Sequence, residues 1–502
     1  MRKGNVVIAM ENGDLDGNID LIRNGLGAQS PMVVKHIYIG VDQPLEAAII
    51  YVNGISNKDI IDRDILNPLM LHVGENLNGK ANIGDYLCKR YISMSNTSVE
   101  SDLELVINYL KRGKTAVLIN GASEVIIADT TGGQQRAIME PMNETASKGP
   151  RDGFVENLEV NISLIRRKVK DNNLTIETLN VGSRMQSDVA MVYLNGVADK
   201  QVVEELRKRL ESINVDGVLS AGALDQLIET YTYTIFPQAD SSERPDRAIG
   251  NMLEGRILVV LEGTPMVLMY PATFMEFFQA VEDYTQRTII SSFVRFLRIL
   301  AACIVITLPS IYLTLIKFNV ELIPIKFVTP IVQSRIGIAL TPFLEIMAME
   351  LVVEFLREGG LRLPTKIAQT LSLVGGIIIG DTAIQSKMVS PTTLLIVGVT
   401  VITTFLIPNY DMSLSIRLLR FPMLILANIM GIFGIAVGWF LILVHLSSLD
   451  SLGVPYFEFH KADMKDAFIR APLWKMNKRP EGIPNGNPIR QTDFRNKFKK
   501  KR

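Results

Sequence analysis

Glu345, Glu350 and Glu354 stand in residues 336–355, a segment that is otherwise apolar. Glu350 and Glu354 are one helical turn apart and share a face if the segment is helical, with Arg357 three residues beyond Glu354. Ionisable groups at bilayer depth are costly, and they face either a protein interior or water. Two readings follow. In the plainer one the segment is an amphipathic helix lying at an interface, or its glutamates pair locally with Arg357. In the functional one the carboxylates line a water path, and in a symmetric oligomer each becomes a ring that favours cations.

Other chemistry fits poorly. Lys114-Thr115 after Gly113 suggests a phosphate loop, but the first glycine of that motif would fall at Asn108, inside a predicted helix. Thr130-Thr131-Gly132-Gly133 can be written as an anion cradle, and a plain turn after a strand is the better reading. His36, His72, His445 and His460 lack metal-ligand spacing, and no nucleophile, base and acid can be set in order. No enzyme, metal or cofactor is therefore expected. Glu243-Arg244-Pro245-Asp246-Arg247 is dense in charge. It reads as a solvated loop whose Pro245 opens a helix over 246–253, with a docking or ligand-contact loop as the functional alternative.

These residues need elements to hold them. Near residue 290 a charged sequence gives way to closely spaced apolar segments and then to a basic tail. Residues 299–316 and 421–444 carry no Asp, Glu, Lys or Arg, and each is near the ~20 residues needed to cross ~30 Å of hydrocarbon. Residues 391–408 form a third, shorter run, and 336–355 and 367–380 are two further segments. Pro309 removes a backbone hydrogen bond in the first span and is a candidate kink. Gly376 with Gly380, and Gly434 with Gly438, repeat at the spacing that lets helices approach closely.

No secretory signal is visible at the start of the chain, and Arg287, Arg295 and Arg298 flank the first span, so the preceding head is expected in the cytoplasm. From Lys461 the tail holds 13 Lys and Arg against 4 Asp and Glu, which places it on the same side and suits anionic lipid rather than nucleic acid. Two cytoplasmic ends require an even number of spans, four, whereas Arg417 and Arg420 before the last one argue locally for five. Cys88 and Cys303 are too few for a disulfide framework.

The head is duplicated. Ala48-Ile-Ile-Tyr-Val-Asn-Gly54 returns 142 residues later as Ala190-Met-Val-Tyr-Leu-Asn-Gly196, and Gly113 to Gly121 aligns with Gly255 to Gly263 at the same offset. Asn18 to Arg23 matches Asn161 to Arg166 at an offset of 143. Each copy is read as a small mixed sheet backed by helices, with strands before Gly54 and Gly196, helices over 57–69, 101–112 and 199–213, and a hairpin at Asn120-Gly121. The expected fold is an α+β head of two tandem α/β repeats followed by a multi-pass α-helical membrane domain. Its parts are an extension 1–17, repeats 18–140 and 160–290 around a linker 141–159, a helical domain 291–447 and a tail 448–502.

Glu243 to Arg247, Leu253-Glu-Gly-Arg256, Gly263-Thr-Pro265, Glu354-Phe-Leu-Arg-Glu-Gly-Gly-Leu-Arg-Leu-Pro364, Arg417-Leu-Leu-Arg-Phe-Pro422, Gly453-Val-Pro-Tyr456 and Arg470-Ala-Pro-Leu-Trp474 together resemble the A-subunit family of bacterial spore germinant receptors. The likeness runs from about Asn18 to Pro480. It implies a subunit in the spore inner membrane that works with a transporter-like B subunit and a lipoprotein C subunit. It also implies a homo-oligomeric, nutrient-gated cation channel that starts germination. The alternatives are a non-conducting scaffold of the receptor and an ion-coupled secondary transporter, the latter disfavoured because no repeat is seen among the spans.

Overall fold

The computed structural model describes residues 14–26, 31–41, 43–53, 55–77, 80, 82–132, 140, 141, 144, 148–364, 380–460, 463–467, 469–492 and 495. It divides into two compact units, 1–135 and 136–502. The first unit is one α/β repeat, and the second joins the other repeat to the apolar helices and the tail.

In the first unit, apolar alternation and β-branched runs give β1 (Met32–Ile39), β2 (Leu45–Val52), β3 (Thr97–Glu100), β4 (Thr115–Ile119) and β5 (Val125–Ala128), ordered β1-β2-β4-β5-β3. Helices α1 (Leu15–Leu26), α2 (Lys58–Ile60), α3 (Ile83–Arg90) and α4 (Leu103–Lys111) cover both faces, and α2 continues as π-helical turns to His72. α1 and α4 bury Ile19, Ile22, Val106 and Leu110 on Ile50, Ala116 and Leu118. Ile61, Ile65 and Leu69 bury on Ile49, Val117 and Ile126 across the sheet. Each such side chain contributes roughly 1.5–3 kcal/mol. Thr115, rejected above as part of a phosphate loop, opens a buried strand, and its hydroxyl lies 2.7 Å from that of Thr130.

The second unit repeats the plan with α5 (Leu158–Lys168), β6 (Leu174–Val181), β7 (Ser187–Leu194), α6 (Lys200–Ser212), α7 (Ala221–Ile228), β8 (Asp240–Ser242), α8 (Pro245–Leu253), β9 (Ile257–Leu261) and β10 (Val267–Tyr270). Its order, β6-β7-β9-β10-β8, is the order of the first sheet. Every strand pair described in the two sheets is antiparallel, which corrects the expected mixed sheet. The offset of 142 residues has a structural reason at Gly113 and Gly255, where φ is +86° and +113° and side chains are disfavoured. A Cβ at Gly113 would stand 2.4 Å from the carbonyl oxygen of Ile55.

After α9 (Glu282–Thr285) come α10 (Thr288–Lys317), α11 (Ile325–Arg335), α12 (Pro342–Leu361), α13 (Pro391–Thr404), α14 (Tyr410–Met430) and α15 (Ile432–Ser448). Two of them, α10 and α14, are long and apolar enough to cross a membrane. α10 runs unbroken through buried Pro309, which has no N–H for the carbonyl of Val305. At 14 and 17 residues, α13 and α15 reach about 21 and 26 Å, short of the hydrocarbon.

The expected single span over 421–444 is overturned. Gly431, at φ +58° and ψ −136°, stops α14, and α15 folds back on it. Gly434 and Gly438 lie in that hairpin: a Cβ at Gly434 would stand 2.1 Å from the carbonyl oxygen of Leu426, and one at Gly438 2.5 Å from the sulfur of Met423. A side chain at 434 thus meets backbone that cannot swing aside. Gly434→Leu is expected to cost at least ~3 kcal/mol, the upper range for overpacking, and to appear as loss of monodisperse protein in detergent. Recovery equal to the parent chain would show that the hairpin opens freely. Gly380 stands 3.5 Å from the Leu394 side chain by the same construction, and Gly376 lies outside the described residues.

The tail does not hang free. A short β11 (Asp450–Ser451) and β12 (Val454–Pro455) lead to α16 (Met464–Ala467), and Asn485 then forms a β-bridge with Ala198 of the second repeat. Arg490 pairs with Glu254 at 2.9 Å, and Arg479 donates to the carbonyl of Leu253 at 2.7 Å. Part of the basic charge expected to face lipid is thus spent inside the unit.

Candidate functional site: buried ion pairs between the second repeat and the helices

Charged residues left in an apolar core need opposite charges, and among the described residues of this unit four groups of such pairs stand out. The first is the start of α10. Asp283, in the short α9, is buried and faces two arginines one turn apart on α10: Arg298 at 2.7 Å and Arg295 at 3.2 Å. Arg295, 0% exposed, reaches on to Asp466 of α16 at 2.9 Å, and the Tyr284 hydroxyl donates to the same carboxylate at 3.0 Å. Burial pushes the Asp466 carboxyl up, and Arg295 pulls it down. Two of the three arginines read as free flanking charges are therefore neutralised, while Arg287 is exposed.

The second is Glu243-Arg244-Pro245-Asp246-Arg247, which is not a solvated loop. Pro245 does open α8, at its first turn, but Glu243, Arg244 and Pro245 are buried. Arg244 makes a two-point contact with Asp246 and also donates to the carbonyls of Glu144 and Pro150, tying linker to repeat. Arg247 spans Glu144 at 2.5 Å and Asp240 at 2.8 Å. Charge density misleads here because the donors are consumed internally. Asp240, on β8, also accepts from the Asn409 amide at 3.1 Å, and Asn409 caps α14 through the N–H of Met412. One amide side chain thus links the edge of the sheet to the first turn of a long apolar helix. Burial pushes the Asp240 carboxyl up to about 7 against the pull of Arg247.

The third pair, Arg256 and Glu276, meets at 2.6 Å with both side chains buried. The fourth lies among the apolar helices and holds the glutamates singled out by sequence. Glu350 and Glu354 of α12 contact Arg420 of α14, at 2.7 Å and 2.5 Å. Glu345 pairs with Arg335 of α11 at 2.7 Å and accepts the N–H of Ser390, the cap of α13, at 2.5 Å. Glu345 and Glu350 are fully buried, whereas Glu354 is 27% exposed. Their partners are thus on other helices: Arg357 instead lies over the Phe405 ring, 5.5 Å from its centre. Arg420, read as a flank of the last span, sits inside α14 and is compensated, so it casts no vote on span parity.

Sequence reasoning named Arg420 only as a flanking charge and missed Asp283, Asp240 and Asn409. The available signal for Arg420 was a cation beside an apolar run in a chain with two carboxylates in another apolar segment.

The fold and these contacts define a class: an antiparallel α/β repeat joined by buried ion pairs to a bundle of apolar helices, with a second copy of the repeat before it. The GerA spore germination protein family of Bacillus and Clostridium matches residues 20–482, and the chain belongs to that family. It is 36% identical to spore germination protein KA of Bacillus subtilis (strain 168), over 94% of this chain and 87% of that one. It is 35% identical to the membrane protein YfkQ of the same strain, over 88% and 86%, and 32% identical to spore germination protein GerLA of Bacillus cereus, over 93% and 96%. The crystal structure of the N-terminal domain of the A subunit of the Bacillus megaterium spore germinant receptor GerK3 matches at 31% identity, covering 54% of this chain and 99% of that one, with a TM-score of 0.23, too low to argue from.

Proposed function

We propose that this chain is the A subunit of a nutrient germinant receptor of the spore inner membrane, multi-pass, with its repeats and tail on the cytoplasmic side. It oligomerises with copies of itself and works with a transporter-like B subunit and a lipoprotein C subunit, and the assembled helices form a nutrient-gated cation channel. Family membership supports the receptor role. The observation that carries the channel is the Arg420, Glu350 and Glu354 cluster between α12 and α14, with Glu354 its partly exposed member.

Charge that is buried and paired, with one member partly exposed, is what a path for cations can use. In the resting arrangement Arg420 offsets one of the two glutamate charges. Relative movement of α12 and α14 releases the carboxylates and makes the path attractive to cations. Asp240 and Asn409, and Asp283 with Arg295 and Arg298, are the contacts through which the second repeat would move α14 and α10. The basic run 497–502 meets anionic lipid in this reading.

Spores carrying Glu350→Gln in place of the parent chain test it. Nutrient-triggered release of monovalent cations is expected to slow by about tenfold or to change its ion preference, as loss of ~1.4 kcal/mol of cation stabilisation would do. An unaltered response favours the second reading, a non-conducting scaffold, for which the complete pairing of Glu345 speaks.

A further inference from the structure

The second unit holds a cavity of about 330 Å³ between residues 254–279 and the segment that follows β12, a size suited to a small molecule. Phe274 and Phe457, edge to face at 5.3 Å, form an apolar wall, with Met275, Met464 and Met476 as adaptable neighbours.

The rest of the lining is polar, and its charges answer one another. Glu254 is held by Arg256 and Arg490, Asp466 by Arg295 and Tyr284, and Asp463 by the N–H groups of Glu481 and Gly482. Arg479 donates to the carbonyls of Leu253, Asn487 and Ile489. Lys465, Lys475 and Lys478 stand exposed at the rim, where solvent and salt screen them. Among the described lining residues, four buried polar atoms have no hydrogen bond. Two are donors, Arg256 Nε–H and the Tyr456 hydroxyl, and two are acceptors, Glu276 Oε1 and Asn477 Oδ1. Arg256, Glu276 and Tyr456 are 3%, 5% and 1% exposed. Glu276 Oε1 and Arg256 Nη2 stand 2.6 Å apart as an ion pair without an aligned hydrogen bond, so each charge is met while hydrogen-bonding capacity is left over. An anion would have to displace Glu276 from Arg256, and a cation would have to displace Arg256 from Glu276. The unmet capacity is therefore of both kinds and uncharged, beside aromatic surface. Water alone would serve the polar atoms and leave the phenylalanine and methionine wall wetted.

We propose that this cavity binds an uncharged small molecule with an aromatic body and an amide-type head, a group that donates and accepts at neighbouring atoms. The head meets Tyr456, Glu276 and Arg256, and the body lies on Phe274 and Phe457. This goes beyond the channel reading and does not depend on it. Phe274 opens the short turn 274–278, whose last carbonyl, that of Phe278, accepts from Arg298 of α10 at 3.2 Å, so an occupant touches a segment that holds α10.

The test uses the full chain in phosphatidylcholine nanodiscs and fluorine NMR of 4-fluorobenzamide. Fluorobenzene, 4-fluorobenzoate, 4-fluorobenzylamine and 4-fluorophenylalanine serve as apolar, anionic, cationic and zwitterionic counterparts. Saturable line broadening is expected for the amide, at least tenfold weaker for the others. Tyr456→Phe keeps the ring and removes a hydroxyl that has no hydrogen bond, so it should not lower the melting temperature and should weaken the amide about tenfold. Met476→Trp, which fills the space, should abolish binding. If that variant melts below the parent chain, Asn477→Leu at a half-buried position should still weaken the amide several-fold. No saturable binding of the amide, a charged or zwitterionic probe that binds as tightly, or binding that ignores every substitution overturns the proposal.

Discussion

Arg420→Met is expected to leave little folded protein, and Glu350→Gln in the same chain to bring most of it back. Arg420 is 2% exposed and Glu350 1% exposed, so removing the arginine leaves a carboxylate in an apolar setting with no countercharge. Breaking one partner of a buried pair costs ~3–5 kcal/mol, a large share of the ~5–15 kcal/mol that holds most domains together. Neutralising Glu350 removes the orphaned charge, and Glu354, already partly exposed, can hydrate. The comparison is read from the melting temperature and yield of the detergent-solubilised chain. A single Arg420→Met as stable as the parent would mean that Glu350 is not held in this way.

Asp283→Asn is expected to be the most damaging change at the start of α10. Asp283 serves both Arg295 and Arg298, so the conservative amide keeps the shape but withdraws the charge that two buried guanidiniums share. Arg298 would retain the Phe278 carbonyl at 3.2 Å and a neutral amide oxygen in place of the carboxylate, and Arg295 would lean on Asp466. The loss should again be ~3–5 kcal/mol. Asp466→Asn should cost less, about 1–2 kcal/mol, because Asp466 is 26% exposed and water can replace part of its role. Thermal unfolding of the two variants side by side checks the order. Equal effects would place the weight on Asp466 and remove the argument that Asp283 anchors the helix.

The duplicated head was legible because its repeat rests on local rules: glycines at positive φ, strands that are apolar on both faces, and helix caps such as Asp102 and Asp199. The edge strands β1 and β6 were not, since Lys35-His36 and Glu177 interrupt the apolar pattern where one side of the strand is solvated. Residues 421–444 looked like one span because hydropathy is blind to the backbone conformation at Gly431. The three glutamates were found by their odd setting, but their partners were hidden. Arg420 and Glu354 are 66 residues apart, and no local spacing encodes such a contact. Glu243 to Arg247 failed for the opposite reason, since charge usually marks solvent and here marks a buried network.

The central claim is that cations pass when a nutrient acts on the receptor, and that the Glu350 carboxylate helps them pass. The most direct measurement is ion flux from liposomes holding this chain with its B and C partners, recorded before and after nutrients are added. The account predicts efflux of monovalent cations that starts with the nutrient and loses its preference over anions in Glu350→Gln. No efflux from a correctly assembled, nutrient-binding complex would contradict it and leave the chain as a scaffold.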